Sequence, residues 1–132
     1  MGRRATAVVG VPGDRADWVI EEAARAAARA FDRVIVREDA DRRGRDQGEV
    51  PGLLCAAIAS HAPSRLCQVV ASETAALRLA IQTMDPNEVI VVFYESLQEV
   101  QQTLAELGAV RAEIVEPLRF QEDGTLSASR RA

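Results

Sequence analysis

Four short apolar runs alternate with four stretches of helical periodicity along this chain, and no other feature restricts its fold as much. The strand candidates are 5–11, 33–37, 66–71 and 89–94, and the segments that follow them repeat apolar residues every three to four positions. A β-α repeat of this kind buries strands under helices and predicts a three-layer α/β/α, Rossmann-like domain with a mostly parallel sheet. The 132 residues suffice for one such domain and not for two. No apolar run approaches the roughly 18 residues of a membrane span, which speaks against a membrane protein.

The first helix is expected over 15–30, where Val19, Ile20, Ala23, Ala24, Ala27 and Phe31 share one face of an alanine-rich body. Asp14 reads as its N-cap and Asp17 as a charge that complements the helix dipole. Pro51 suits the first turn of a helix through Leu53, Leu54, Ala57 and Ile58. Ser72 is the expected N-cap of a third helix, ended by the turn Asp85-Pro86-Asn87. Ser96-Leu97-Gln98-Glu99 is a capping box for a last helix that carries Leu97, Val100, Leu104 and Leu107 and stops at Gly108. Val89–Tyr94 is apolar on both faces of its pleat, which predicts a central strand, and the right-handed crossover rule sets it beside 5–11. The α/β domain is then 1–108. Residues 109–132 form an extension with a strand candidate at Glu113-Ile114-Val115 and a frayed tail from Gln121 onward.

The net charge is −4 and every basic residue is arginine, so lysine-dependent chemistry such as Schiff bases or a Walker-type phosphate lysine is excluded. Arg37, Arg42, Arg43 and Arg45 are interleaved with Glu38, Asp39, Asp41 and Asp46, which makes a nearly neutral run rather than a nucleic-acid footprint. Cys55 and Cys67 flank His61 at spacings that fit no zinc motif. They read as buried reduced thiols, and His61 as a helix-terminal residue. The basic start, Met1-Gly2-Arg3-Arg4, is followed by a short strand and Pro12-Gly13-Asp14 rather than the apolar core of a secretory signal. The cytoplasm is the expected compartment.

Two of the apolar runs end in charged loops, Pro12-Gly13-Asp14-Arg15 after the first and Arg37 to Arg45 after the second. Ligands of open α/β sheets bind outside the carboxyl ends of the strands, so these loops are where a site is expected. Gly10, Pro12 and Gly13 do not complete a dinucleotide fingerprint, since arginine stands at 15, and no G-K-[ST] is present. Arg15 opposes the dipole of the helix it opens, so it either binds an anion or clasps the acidic stretch 38–41. The second loop reads either as a solvated turn of weak ion pairs or as half of a bipolar pocket for the carboxylate and the cationic group of an amino acid. With no nucleophile-base pair, paired histidines or nucleophile elbow, no catalytic residue and no metal ligand is assigned.

The strings Val8-Val9-Gly10-Val11-Pro12-Gly13-Asp14-Arg15, Phe31-Asp32-Arg33-Val34-Ile35-Val36-Arg37-Glu38-Asp39 and Asp41-Arg42-Arg43-Gly44-Arg45 resemble the C-terminal domain of Mur-type peptide ligases, and among these most of all that of cyanophycin synthetases. The resemblance covers about residues 4 to 108, and Glu73-Thr74-Ala75-Ala76-Leu77 and the run from Val89 also fall where that family has them. It departs at Phe93-Tyr94-Glu95-Ser96, where the family has a glycine-lysine-glycine type of sequence. It implies an ATP-dependent, amide-forming ligase in which a central P-loop domain, on the same or a separate chain, binds ATP and magnesium and forms an acyl phosphate. The C-terminal domain then helps to bind the incoming amino acid, arginine being one candidate, and closes the cleft. On that basis Asp14, Arg15, Glu38, Asp39, Arg42, Arg43 and Arg45 are the candidate substrate-binding residues, and the chain alone binds no cofactor and is inactive. The alternatives are a free-standing amino-acid-binding or ligase-docking module without catalysis, and a degenerate relative without a ligand. The family's opening His-Asn-Pro strand is absent here, which predicts a bare edge on the Val89–Tyr94 strand, covered either by residues 111–115 or by a second copy in a homodimer.

Overall fold

The computed structural model describes residues 4–112, together with the backbone of 118–120 and 126–128. Four strands, β1 (Ala5–Val9), β2 (Arg33–Arg37), β3 (Leu66–Val70) and β4 (Val89–Val92), alternate with four helices, α1 (Asp17–Ala30), α2 (Glu49–His61), α3 (Glu73–Gln82) and α4 (Leu97–Glu106). All four strands are parallel in the order β3-β2-β1-β4. The α/β class and the adjacency of β4 to β1 are therefore as the sequence predicts. Beyond them, β5 (Leu118–Phe120) and β6 (Leu126–Ala128) form a separate antiparallel ladder. β6 falls within the stretch read from sequence as a frayed tail from Gln121, and the strand candidate 113–115 lies outside the described residues.

The sheet divides the core into two layers. On one face Ala7, Val9, Val34 and Val36 pack under Ile20, Ala24, Ala27 and Ala28 of α1 and Val50, Leu54, Ala57 and Ile58 of α2. On the other, Val8 and Ile35 meet Ala76 and Ala80 of α3, with Ile90 and Val92 packed alongside. β2 is buried along its whole length, including the arginines at both ends. This is the burial of a strand covered on both faces and paired on both flanks.

Three expectations need correction. First, β4 is an edge strand, not a central one. Its pleat is apolar on both faces, yet only the α3 face is covered: Val89 and Val91, in register with Ala5 and Ala7, stay 39% and 37% exposed because no described helix stands over them. Second, α1 begins at Asp17 with Ala16 as its N-cap and no side-chain cap bond. A turn closed by the Arg15 N–H donating to the Pro12 carbonyl (3.2 Å) intervenes, so Asp14 is not the cap. Third, Cys55 and Cys67 are joined in a disulfide between α2 and β3, with Cα atoms 6.2 Å apart. Helix and strand lie side by side along the first core layer, which brings together two thiols that are 12 residues apart in sequence. The caps at Ser72 and Ser96 are present, their hydroxyls accepting from the Ala75 and Glu99 N–H groups.

Candidate functional site

The carboxyl ends of β1, β2 and β4 open onto a cavity of about 440 Å³. Its floor is Arg37, the last residue of β2, whose side chain is only 2% exposed. The guanidinium lies against Gly10 so closely that a Cβ there would fall within 3.0 Å of it, which makes the absence of a side chain at Gly10 a condition of the arrangement. Three carboxylates surround Arg37: Asp39 from its own loop, Glu73 at the start of α3 (3.2 Å), and Glu95 from the loop after β4 (3.4 Å). Its Nη2 also donates to the Phe93 carbonyl (3.1 Å), while Nε is buried without a partner among the described residues.

The carboxylates in turn hold the loops. Glu73 is buried and accepts the Glu95 and Ser96 N–H groups, the latter at 3.2 Å, so the first residue of α3 fixes the entry to α4. Glu95 accepts the Ala40 N–H (3.2 Å), tying the loop after β2 to the loop after β4 across the cavity. With one cation among three carboxylates, this floor carries excess negative charge. Phe93 and Tyr94, half exposed, complete the wall.

The 38–48 loop is folded back on the first loop by two arginines. Arg43 adopts a positive φ of 52° directly before Gly44 (φ 85°), a tight reversal that costs a non-glycine residue about 1 kcal/mol. Its guanidinium then reaches Asp14 at 2.9 Å, and its own N–H donates to Asp41 (2.9 Å). Arg45 donates to the Gly13 carbonyl (2.9 Å) and the Arg15 carbonyl (2.7 Å), and pairs with Asp17 (2.7 Å) and Glu49 (3.2 Å). The hydrogen bond to Asp17 above all, with Glu49 adding to it, raises the Arg45 pKa further above the ordinary arginine range.

The candidates read from sequence thus separate. Asp39 and Arg43 line the cavity, and Asp14 reaches it through Arg43. Glu38 instead accepts the Gly48 N–H (2.8 Å) ahead of α2, and Arg45 clasps the first loop. Arg15 and Arg42 are exposed and neither side chain forms an ion pair among the described residues, so the clasp expected of Arg15 is made in the opposite sense, by Arg43 and Arg45. Arg37, Glu73 and Glu95, which hold the cavity together, are not among the candidates that the sequence supplies. One signal was available: a charged residue closing the otherwise apolar run Val34-Ile35-Val36. Among the described residues no three His, Cys, Asp or Glu side chains converge to hold a metal ion. Beside the cavity, a second hollow of about 390 Å³ runs between α1 and Phe93 and is almost wholly apolar.

Family profiles show no match to the chain. Its fold matches that of UDP-N-acetylmuramoyl-L-alanyl-D-glutamate–2,6-diaminopimelate ligase with a TM-score of 0.62 over 83% of this chain and 25% of that one, at 15% identity. The fold class is therefore the α/β type found in this Mur ligase. Within that class, the chain is homologous to a segment of the cyanophycin synthetases. It is 41% identical over 92 residues to cyanophycin synthetase of Synechocystis sp. (strain ATCC 27184 / PCC 6803 / Kazusa), covering 70% of this chain and 10% of that protein. It is 38% identical over 90 residues to that of Crocosphaera subtropica, covering 68% and 10%. With the enzyme of Trichormus variabilis it shares 33% over 107 residues, covering 81% and 12%. The chain thus corresponds to about a tenth of the length of these relatives.

Proposed function

We propose that residues 1–108 act as the C-terminal domain of an ATP-dependent, amide-bond-forming ligase like cyanophycin synthetase, with 109–132 as an extension. The domain supplies one wall of the incoming amino acid's site and closes the cleft over a P-loop central domain. The observation that carries this reading is the cavity at the ends of β1, β2 and β4, where acidic and arginine side chains face the same space. A zwitterion with a cationic side chain, arginine among them, finds there both a guanidinium and carboxylates. On this reading ATP and magnesium sit outside this chain, which has no lysine to serve as a Walker-type phosphate residue. They belong to the central domain, and this chain alone is inactive. No described helix is long and apolar enough to cross a membrane, and the reading places the ligase in the cytoplasm.

The test is steady-state kinetics of the intact ligase. Asp39→Asn and Arg43→Ala are expected to raise KM for the amino acid several-fold while leaving KM for ATP unchanged. An unchanged KM for the amino acid in both variants would remove this domain from the amino-acid site. We further propose that a strand adds to the flank of β4 that pairs with no described strand, and that in the isolated chain this strand comes from a second copy or from the 111–115 segment. Deletion of 109–132 followed by sedimentation tests it. A deleted chain that stays monomeric, soluble and equally stable would rule the edge out as a pairing surface.

A further inference from the structure

β3 is one of the two loosely held edge strands of the sheet. It is hydrogen-bonded on one flank only, to β2, and none of its five residues is fully buried. Leu66 and Val69 are 47% and 59% exposed, and two buried polar atoms at this end of the sheet, Arg65 Nε and Gln68 Oε1, have no partner among the described residues. Few buried contacts and unsatisfied polar groups mark a segment that opens locally at low cost. Its neighbour α2 is the opposite case, seated in the core through Val50, Leu54, Ala57 and Ile58. The Cys55–Cys67 disulfide ties the loose element to the firm one, and both cysteines are only half buried.

From this we infer that Cys55 and Cys67 form a reversible redox pair, in which oxidation staples the edge strand β3 to α2 and reduction releases it. In the forward step the thiolate of one cysteine attacks a low-molecular-weight disulfide, forms a mixed disulfide and expels one thiolate. The second cysteine thiolate then attacks the protein sulfur of that mixed disulfide and expels the other. The two protein thiols give up two electrons and two protons, and the small disulfide becomes two thiols; a dithiol runs the exchange backward. Cys67 sits near the start of β3, whereas the cavity lies at the opposite, carboxyl ends of the strands. Redox state therefore governs how firmly β3 is held, and leaves the cavity floor in place.

The experiment uses the full chain, equilibrated either with dithiothreitol or with oxidised glutathione, then alkylated under native conditions and weighed by mass spectrometry. The oxidised chain is expected to take up no alkyl groups and to melt several degrees higher, and dithiothreitol should return both properties to the reduced values. Amide exchange at 66–70 should quicken about tenfold or more on reduction, while that of β1 and β2 stays unchanged. Cys55→Ala/Cys67→Ala should melt like the reduced chain and ignore the redox buffer; if that variant does not fold, the wild-type comparison decides alone. Two alkylated cysteines after oxidation, a bond that dithiothreitol cannot open in the native chain, or equal exchange at 66–70 in both states would each overturn the proposal.

Discussion

Arg33 and Arg37 bound the same five-residue strand and are buried alike, 5% and 2% exposed, yet their surroundings differ in kind. At Arg33 every guanidinium nitrogen has a partner. Nε donates to the Thr6 hydroxyl (3.1 Å), Nη1 to the Thr83 hydroxyl (2.7 Å), Nη2 to the Ala80 carbonyl (3.4 Å), and the single carboxylate, Glu88, stands at 3.8 Å. These partners come from β1, from α3 and its C-cap, and from the residue before β4. At Arg37 three carboxylates compete for one guanidinium, Nε has no partner among the described residues, and two of the carboxylates ride on loops beside a cavity. A network closed by regular elements has one arrangement. A network completed by loops around an excess of charge can exchange a partner for a ligand, which is why the site is proposed at the carboxyl end of the sheet and not at the amino end.

The sharpest way to break this contrast is Glu88→Ala, which leaves Arg33 and the Thr6 hydroxyl without their buried anion. Removing one partner of a buried pair is costly, and stability should fall by about 3 kcal/mol, read from the urea midpoint, with no change in any amino-acid affinity. A loss below about 1 kcal/mol would put Arg33 on the same footing as a surface arginine. The pH profile carries the same information. Burial alone would raise the Glu88 pKa, but the Thr6 hydroxyl, the Asp85 N–H (2.9 Å) and the guanidiniums of Arg33 and Arg4 outweigh it and hold the carboxyl below its ordinary value. A depressed folded-state pKa means stability that is fully present above the unfolded value of about 4.5 and is lost as pH falls through the lower, folded value. Glu88→Gln should flatten that part of the acid limb.

Arg37→Met is expected to cost less, about 2 kcal/mol, because the carboxylates it abandons have other recourse. Glu73 keeps two backbone N–H donors, and Glu95, with a 34% exposed side chain, can turn to water. The diagnostic outcome lies elsewhere: in the intact ligase the variant should raise KM for the amino acid, since the cavity floor goes with it. A variant that loses stability while its kinetics stay unchanged would make both ends of β2 structural and erase the distinction.

What the sequence discloses and what it hides follow the same division. Local signals carried: the alanine-rich face of α1, the Ser72 and Ser96 caps and the apolar β2 are all visible in segments a few residues long, and the crossover rule supplies the pairing of β1 with β4. The failures are those in which the deciding neighbour is remote. β4 has the composition of a doubly covered strand, and only the sheet order, with no helix over Val89 and Val91, makes it an edge. The charged run after β2 looks nearly self-neutral in sequence. In space Arg37 is answered by Glu73 and Glu95, the latter 58 residues away. The disulfide escaped for a related reason, since its two cysteines belong to elements whose contact the spacing does not encode.

A third arginine stands outside both networks and sharpens the comparison from its weak side. Arg15 lies two residues before α1, exposed, with no ion pair among the described residues and with its carbonyl, not its guanidinium, used by Arg45. A cation so placed gains nothing from the helix dipole and has no partner to lose, so Arg15→Ala should leave the unfolding midpoint of the isolated chain unchanged. In an intact ligase the same loop stands at the carboxyl end of β1, where an unpaired guanidinium remains available to an anionic group of a substrate or of the closing domain. Turnover should therefore drop there without any loss of stability, the reverse of what Glu88→Ala does. Normal ligase kinetics for Arg15→Ala would confine the useful charge of this face to the residues that line the cavity.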